Sequence, residues 1–275
     1  MSSTFKYLLL SLAGLLGLFW RVLPVRLREA FITGLYILES RSGNPAQGLR
    51  RLLALQDRLD WVINERAMAY GGGVHPKHRL MRYHDFFVER ILTGSRVLDI
   101  GCGYGAVASS IATRVSGSTV VGVELDRIRL AQARAGEVPA NLSFIEADAR
   151  HDLPAGSWEA VVLSNILEHI EDRVGFLRDI LQQVQPEKVL IRVPLFERDW
   201  KLPLRKELGV NYFSDTTHFI EHRYDELRNE LNAAGLLLTE VITFWGEIWV
   251  DCQPNNTDIK RYPKAVKLEF GKEKI

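Results

Sequence analysis

A run of glycines directly after an apolar segment constrains this chain more than any other feature. Residues Arg96–Ile100 have the composition of a buried strand, and Gly101, Gly103 and Gly105 follow at alternate positions. From Ala106 onward the spacing and composition are those of a helix. Glycine permits both a sharp turn and the close approach of a ligand to the backbone. The stretch therefore predicts a strand, a tight turn and a helix, the arrangement at which open α/β sheets bind nucleotides.

The residues around this turn indicate which nucleotide binds there. Gly101, Gly103 and Ala106 also satisfy the G-x-G-x-x-G/A pattern of dinucleotide sites, a weak match on its own. Asp99 separates a dinucleotide site from a site for a cationic nucleotide, because a buried carboxylate is costly unless a cation or N–H donors face it. S-adenosylmethionine offers an α-ammonium there, whereas a dinucleotide pyrophosphate would be repelled; alternatively, Asp99 only caps the turn. The stretch resembles motif I of class I S-adenosylmethionine-dependent methyltransferases.

Two further acidic residues follow later predicted strands. Glu124 ends the second strand, where a carboxylate can accept both ribose hydroxyls, and it resembles the acidic motif II position of the family. Asp148 follows the third strand, where family members accept a hydrogen bond from the adenine amino group; alternatively, it only starts a loop. The resemblance implies S-adenosyl-L-methionine as cofactor. It also implies the following cofactor-binding residues: Tyr83, Asp99, Gly101, Cys102, Gly103, Glu124, Leu125, Asp148, Ala149 and Asn165.

Strand and helix patterns alternate from residue 95 onward, which is typical of a parallel sheet. Strand patterns at Leu236–Phe244 and Glu247–Val250 predict a closing hairpin, which a plain dinucleotide domain does not have. The expected fold is α/β: a Rossmann-like class I methyltransferase sheet, mostly parallel with a terminal antiparallel hairpin, and helices on both faces. Strands are also expected over 118–124, 141–146, 158–163 and 188–194, and helices over 172–184 and 221–234.

The Leu-Glu-His element at 167–169 resembles the segment after strand 4 of small-molecule methyltransferases, including those acting on quinone precursors and other O-acceptors. It lacks the Asn/Asp-Pro-Pro-aromatic signature of enzymes that methylate nucleic acid bases. The formal net charge of +1 likewise gives no reason to expect nucleic acid. Three histidines are candidate general bases, each with a structural role as the alternative: His169, His218 and His222. The insertion at 195–222 is the expected wall of the acceptor site, and no metal-ligand spacing is evident.

A segment dense in His, Arg and aromatic residues, 75–87, precedes the first strand. In methyltransferases that resemble this chain, the corresponding segment often closes over the methionine end of the cofactor. Tyr83 and His84 are the candidates for that contact. The alternative is a solvated amphipathic helix with a basic face.

The N-terminus carries an apolar run over 7–20, which is short for a helix that crosses about 30 Å of hydrocarbon. Trp20 and Arg21 resemble an interfacial aromatic residue and a basic flank. Residues 1–25 are therefore predicted to be a membrane anchor or interfacial helix, with a secretory signal and a buried core helix as alternatives. A helical extension (26–78), a methyltransferase domain (79–252) and a polar basic tail (253–275) follow.

The two cysteines, Cys102 and Cys252, form no disulfide framework, which suits a reducing compartment. The predicted function is S-adenosylmethionine-dependent methyl transfer to a small-molecule or lipid-linked acceptor. Membrane association through the N-terminus is expected, and so is a location in the cytoplasm or on the cytoplasmic side of a membrane. Two alternatives remain. The first is an NAD(P)-dependent oxidoreductase, against which Asp99 argues. The second is an inactive, membrane-tethered cofactor-binding protein, against which the intact acidic set argues.

Overall fold

The computed structural model describes residue 17, residues 19–41 and 43–255, and the backbone of 269–270. The chain divides into two compact units, one formed by 1–66 with 205–210 and the other by 67–204 with 211–275. The apolar run at 7–20 lies mostly outside the described residues, as does most of the predicted tail. Within the part that is described, no helix is long and apolar enough to cross a bilayer.

The first unit contains helix α1 (Val25–Arg41) and most of helix α2 (Pro45–Tyr70), and the helical extension was predicted over 26–78. Gly48 lets the two helices approach closely, because a Cβ there would lie 2.1 Å from the backbone oxygen of Ser40. Arg205 donates a hydrogen bond to the backbone oxygen of Leu53 (3.0 Å) and tethers segment 205–210 to α2.

The second unit is built on one sheet in the order β3-β2-β1-β4-β5-β7-β6-β8. All neighbouring pairs are parallel except those of β7, which runs antiparallel to both β5 and β6. The strands are β1 (Arg96–Ile100), β2 (Thr119–Glu124), β3 (Leu142–Glu146), β4 (Ala160–Ser164), β5 (Lys188–Pro194), β6 (Leu236–Phe244), β7 (Glu247–Pro254) and the two-residue β8 (Glu269–Phe270). The predicted parallel sheet with its terminal antiparallel hairpin is confirmed.

Helices cover both faces of this sheet, as expected. Beyond the first unit the helices are α3 (Lys77–Met81), α4 (Tyr83–Val88), α5 (Ala106–Arg114), α6 (Arg127–Ala135), α7 (Arg173–Val184), α8 (Lys201–Glu207, which the unit boundary crosses) and α9 (Tyr224–Ala234). Successive side chains of a strand point to opposite faces of the sheet, and helices cover both faces. The central strands are therefore apolar on both sides. On β1, Leu98 packs into a core with residues of α7 and α9, while Val97 packs into a second core with residues of α5.

The structure corrects several predicted boundaries. Helix α9 begins at Tyr224 and not at Glu221, and the side chain of Glu226 accepts the N–H of Arg223 at this end, at 2.9 Å. Residues 221–222 are extended, and His222 forms an isolated bridge with Leu195. Strand β7 continues to Pro254, four residues beyond the predicted end.

Candidate active site

The glycine turn after β1 has the conformation that its sequence predicted. The backbone N–H groups of Gly101 and Cys102 both donate to the carbonyl of Val123, at 2.8 and 3.0 Å, and tie the turn to β2. Gly101 has a φ of +68°, and a Cβ there would lie 2.1 Å from Cδ1 of Ile166. Gly103 has a φ of +57°, and no atom lies within 4 Å of the position that its Cβ would take. The turn therefore leaves open space against bare backbone, which fits a ligand cradle.

Asp99 lies at the same end of β1 and is only 1% exposed. Its Oδ2 atom is buried and has no hydrogen-bond partner among the described residues. Burial raises the pKa of Asp99 to about 7; a backbone hydrogen bond from Ala108 opposes this shift and the charge of Glu124 adds to it. A buried carboxylate oxygen without a partner, beside an open glycine turn, fits the cationic ammonium of S-adenosylmethionine.

Glu124 is held rigidly at the end of β2. Its Oε2 accepts the N–H of Gly103 and its Oε1 accepts the N–H of Asp126, both at 2.8 Å. Each carboxylate oxygen has a second lone pair, so both can also accept from ribose hydroxyls. The side chain of Asp126 accepts from the N–H groups of Ile128 and Arg129 and caps α6.

The remaining predicted cofactor residues follow the neighbouring strands. Asp148 accepts the N–H of Arg150 at 2.9 Å, so it does start a turn, and Ala149 lies within that turn. Leu125 follows Glu124 and is 65% exposed. Asn165 directly follows β4 with a φ of +59°, and its buried Oδ1 has no hydrogen-bond partner within the described part of the chain. These positions lie at the carboxyl ends of adjacent parallel strands.

Tyr83 is buried, and its hydroxyl lies 2.6 Å from Nδ1 of His78. The guanidinium of Arg192 lies 3.7 Å from the centroid of its ring. Burial raises the pKa of Tyr83, Arg192 opposes this shift, and the charges of Glu247 and Asp99 add to it. Desolvation lowers the pKa of His84 to about 4. Segment 75–87 thus contributes buried side chains to this region and is not a wholly solvated basic helix.

Arg192 and Glu247 were not predicted from the sequence. Arg192 on β5 donates from Nε and Nη2 to the two carboxylate oxygens of Glu247, at 2.5 and 2.6 Å, and from Nη1 to the hydroxyl of Ser164 at 3.2 Å. Its side chain is almost fully buried. The sequence offered one sign of this pair, a single arginine inside the apolar strand 188–194. Its partner, Glu247, is 55 residues away in the chain, so no local pattern joins the two.

A second cluster follows β4. Glu168 is fully buried, and neither of its carboxylate oxygens has a hydrogen-bond partner among the described residues. Burial raises the pKa of Glu168 to about 7. The rings of His169 and His218 meet edge to face with centroids 4.5 Å apart, and Nδ1 of His169 lies 2.8 Å from the hydroxyl of Thr217. Insertion 195–222 therefore brings His218 to the Leu-Glu-His element, and its role as the wall of the acceptor site stays a prediction.

One ligand atom from each of Glu168, His169 and His218 lies within 4.8 Å of the other two. Carboxylate oxygen and imidazole nitrogen are suitable ligands for a divalent transition-metal ion. The sequence indicated no metal site, because the fold and not the local spacing places His218 here. This set is the one that could hold a cation in the part of the chain that the structure describes.

Two neighbouring residues have structural partners instead. Burial raises the pKa of Glu221, but hydrogen bonds from His218 and the Ser214 backbone, together with Arg198, lower it to about 2. His222 is fully buried, and its Nε2 lies 3.0 Å from Glu230, which also pairs with Arg173. The contact of Nε2 with Glu230 corresponds to the structural alternative for His222, and its role as a general base stays a prediction.

The comparisons with known proteins agree with this geometry. A family model described as a methyltransferase domain matches residues 74–241, well over half of the chain. The chain belongs to this methyltransferase family. The predicted resemblance to class I S-adenosylmethionine-dependent methyltransferases is confirmed, and S-adenosylmethionine is the cofactor. The dinucleotide-dependent oxidoreductase is no longer a competing interpretation.

Similar curated proteins are ubiquinone biosynthesis O-methyltransferases. The protein from Azorhizobium caulinodans is 32% identical over 167 residues, covering 58% of this chain and 65% of the relative. The protein from Rhodopseudomonas palustris is 28% identical over 160 residues, covering 54% and 61%. The matches thus span less than two thirds of these relatives. A solved magnesium protoporphyrin IX methyltransferase from Synechocystis with bound SAH has a TM-score of 0.50 at 17% identity, covering 63% of this chain and 82% of that one, which shows the shared fold.

Proposed function

We propose that this protein transfers a methyl group from S-adenosylmethionine to a hydroxyl oxygen of a small or lipid-linked acceptor. The observation that carries the proposal is the cluster of buried Glu168 with half-buried His169 and His218, close to Asn165 in the segment after β4. A hydroxyl must lose its proton as it is methylated, and this cluster offers groups that accept one. The names of the curated relatives support an oxygen acceptor.

When bound, the cofactor supplies an electrophilic methyl group on a sulfonium. In the proposed arrangement, Asp99 pairs with its ammonium and Glu124 accepts its ribose hydroxyls. The bare backbone at Gly103 admits it to the turn, and Tyr83 covers its methionine end. These residues orient the donor and do no covalent work. Orientation of two reactants is itself a large part of the rate enhancement in such a displacement.

Glu168 is the residue that we propose accepts the acceptor proton. Its carboxylate is fully buried, and its pKa of about 7 is close to neutrality, where a general base works best. His169 and His218 border it and would hold the acceptor oxygen. As the bound donor supplied its methyl group to the acceptor oxygen, the hydroxyl proton would pass to Glu168.

A second arrangement of the same site is favoured by the spacing of the three ligand atoms. A divalent cation held by Glu168, His169 and His218 would lower the pKa of a bound hydroxyl and orient it. Mn²⁺ binding, followed by electron paramagnetic resonance, tests this arrangement. Binding in the wild type that is lost in His218→Ala supports the cation, whereas no binding leaves Glu168 acting directly as the base.

Transfer of a labelled methyl group tests the proposed reaction. The full-length protein is incubated with a methyl-tritiated donor and a cell extract, and the products are partitioned between organic and aqueous phases. An O-methyl product in the organic phase is expected. Label in nucleic acid or protein, or an N-methyl product, would contradict the proposal, and no transfer with intact cofactor binding would favour the inactive alternative.

We also propose that the protein acts at the cytoplasmic side of a membrane and is held there through its N-terminus. The apolar run at 7–20, with Trp20 and Arg21 at its end, supports this location. Fractionation of cells that express the full chain should place it with membranes. Complete recovery in the soluble fraction would contradict this location without affecting the proposed chemistry.

A further inference from the structure

Helix α1 exposes an unusual amount of apolar surface. None of its residues is buried, although the helix is 17 residues long and rich in large apolar side chains. Leu27, Phe31, Leu35 and Leu38 are 58%, 59%, 46% and 69% exposed. Folded soluble proteins rarely leave a contiguous apolar surface of this kind uncovered. The helix therefore has the character of a binding surface.

The four residues form one stripe. Their spacings of four, four and three residues place them on a single face of an α-helix. At a rise of 1.5 Å per residue, the stripe is about 17 Å long. Phe19 and Val22, just before the helix, are also strongly exposed, at 78% and 83%. The apolar surface therefore extends past the beginning of α1.

The charges next to the stripe indicate its partner. From Phe19 to Arg28 the chain has three arginines, Arg21, Arg26 and Arg28, and no acidic residue. Trp20 packs edge to face against Phe31, with ring centroids 6.1 Å apart. An apolar stripe with arginines and an aromatic residue at one end matches a helix that lies in a membrane interface. A neutral protein groove would not need the arginines, whereas anionic headgroups attract them.

We propose that the α1 stripe is a docking surface for an anionic lipid bilayer, with the helix lying in the plane of the interface. The stripe sits in the acyl boundary and the arginines pair with phosphates. This inference deepens the proposed membrane location and rests on it. It assigns a membrane contact to α1 that is distinct from any contact made by the apolar run at 7–20. A lipid-linked acceptor would then meet an enzyme that is already held at its membrane.

A site-specific probe tests the contact in the full-length protein. A polarity-sensitive fluorophore is attached at Leu35→Cys, and at Leu92→Cys as the matched control. Leu92 is 77% exposed and lies before β1, in the other unit. Vesicles of phosphatidylcholine with phosphatidylglycerol should shift the emission at position 35 to the blue and leave position 92 unchanged. An unchanged spectrum at position 35 would overturn the proposal.

Two sets of substitutions separate the apolar and charged contributions. The pair Phe31→Glu and Leu35→Glu should lower binding to anionic vesicles about tenfold or more, whereas Leu92→Glu should not. Arg21→Gln with Arg26→Gln should weaken binding to anionic vesicles by at least about tenfold and leave binding to pure phosphatidylcholine unchanged. Binding is measured by flotation with the vesicles, and equal flotation of all variants would overturn the proposal. So would a loss of self-association, without any loss of vesicle binding, in the glutamate pair.

Methyl transfer to a water-soluble phenol serves as the separate readout. Its rate should be the same in the wild type and in the glutamate pair, because α1 contributes no residue to the proposed site. If vesicle binding fails while this reaction proceeds, only the docking surface is wrong. If the reaction itself is absent in every protein, the proposed function fails, and the vesicle result still stands by itself.

Discussion

The cofactor end and the acceptor end of this site each contain one buried carboxylate with a free oxygen and one that is fully paired. At the cofactor end, Oδ2 of Asp99 has no partner among the described residues, and Glu124 accepts two backbone N–H groups. At the acceptor end, neither oxygen of Glu168 has a partner in the described part of the chain, and Glu221 accepts from His218, Ser214 and Arg198. A paired carboxylate contributes to stability, whereas an unpaired one costs stability and remains available to a ligand.

The two ends differ in how they are built. Backbone groups of the glycine turn and the adjacent β2 shape the cofactor end, so nearby sequence predicts it. The acceptor end needs His218 and Glu221 from an insertion that follows β5. If this comparison is correct, substitution of Asp99 should affect only the cofactor, and substitution of Glu168 should affect only the acceptor. Substitution of the paired Glu221 should affect stability.

The largest effect is expected for Glu168→Gln, which keeps the shape of the side chain but removes the base. The value of kcat should fall by about 10²- to 10⁴-fold, while the Kd for S-adenosylhomocysteine stays within about twofold. Steady-state kinetics and calorimetric titration measure the two quantities. The matched control is Glu171→Gln, an exposed residue in the same segment. A comparable loss of cofactor affinity would break the division between the two ends.

Glu221→Gln should mainly destabilise the fold, by about 2–4 kcal/mol, because it leaves Arg198 without its partner. The pKa of Glu221 is lowered to about 2, so its contribution to stability is complete above about pH 4.5 and lost as pH falls toward 2. Urea unfolding at several pH values measures the free energy of unfolding. Exposed Glu137→Gln is the control, and a variant as stable as the wild type at neutral pH would contradict the pairing.

Asp99→Asn should weaken cofactor binding by about 10- to 100-fold, because it removes a charge-assisted hydrogen bond. The same change should raise the melting temperature of the free protein at pH 8. The raised pKa of about 7 means that Asp99 favours folding at low pH, and that this contribution is lost as pH rises toward 7. Exposed Asp152→Asn is the control. Reduced affinity together with reduced stability would indicate a structural role instead.

Cofactor affinity should also depend on pH through the same residue. Because the ammonium binds the carboxylate form, affinity should fall as pH drops below about 7, by roughly tenfold between pH 7.5 and 6. Titrations of S-adenosylhomocysteine across this range measure the effect. Asp99→Asn should abolish the dependence, and a variant that retains it would assign the titration to another group.

The smallest effect is expected for Arg192→Lys. Lysine keeps the positive charge but loses the bidentate contact with Glu247 and the stacking on Tyr83. Cofactor affinity should fall about three- to fivefold through the displaced Tyr83 ring, with little change in kcat. The opposite pattern, a reduced kcat with unchanged cofactor affinity, would place Arg192 with the acceptor end.

The sequence by itself determined the elements that local physics specifies. The predicted strands 96–100 and 188–194 coincide with β1 and β5, and Gly101, Gly103 and Asp99 mark the turn. Alternation, glycine conformation and capping depend on residues that are close in the chain. Such signals therefore predicted the parallel sheet, its closing hairpin and the cofactor end.

Only the tertiary structure decided which distant side chains meet. It paired Arg192 with Glu247, placed His218 beside His169, and buried His222 against Glu230. It also left the stripe of α1 exposed, although its periodicity is equally typical of a helix packed in a core. Periodicity identifies the apolar face of a helix, but packing between distant segments decides whether that face, or a charged group, finds a partner.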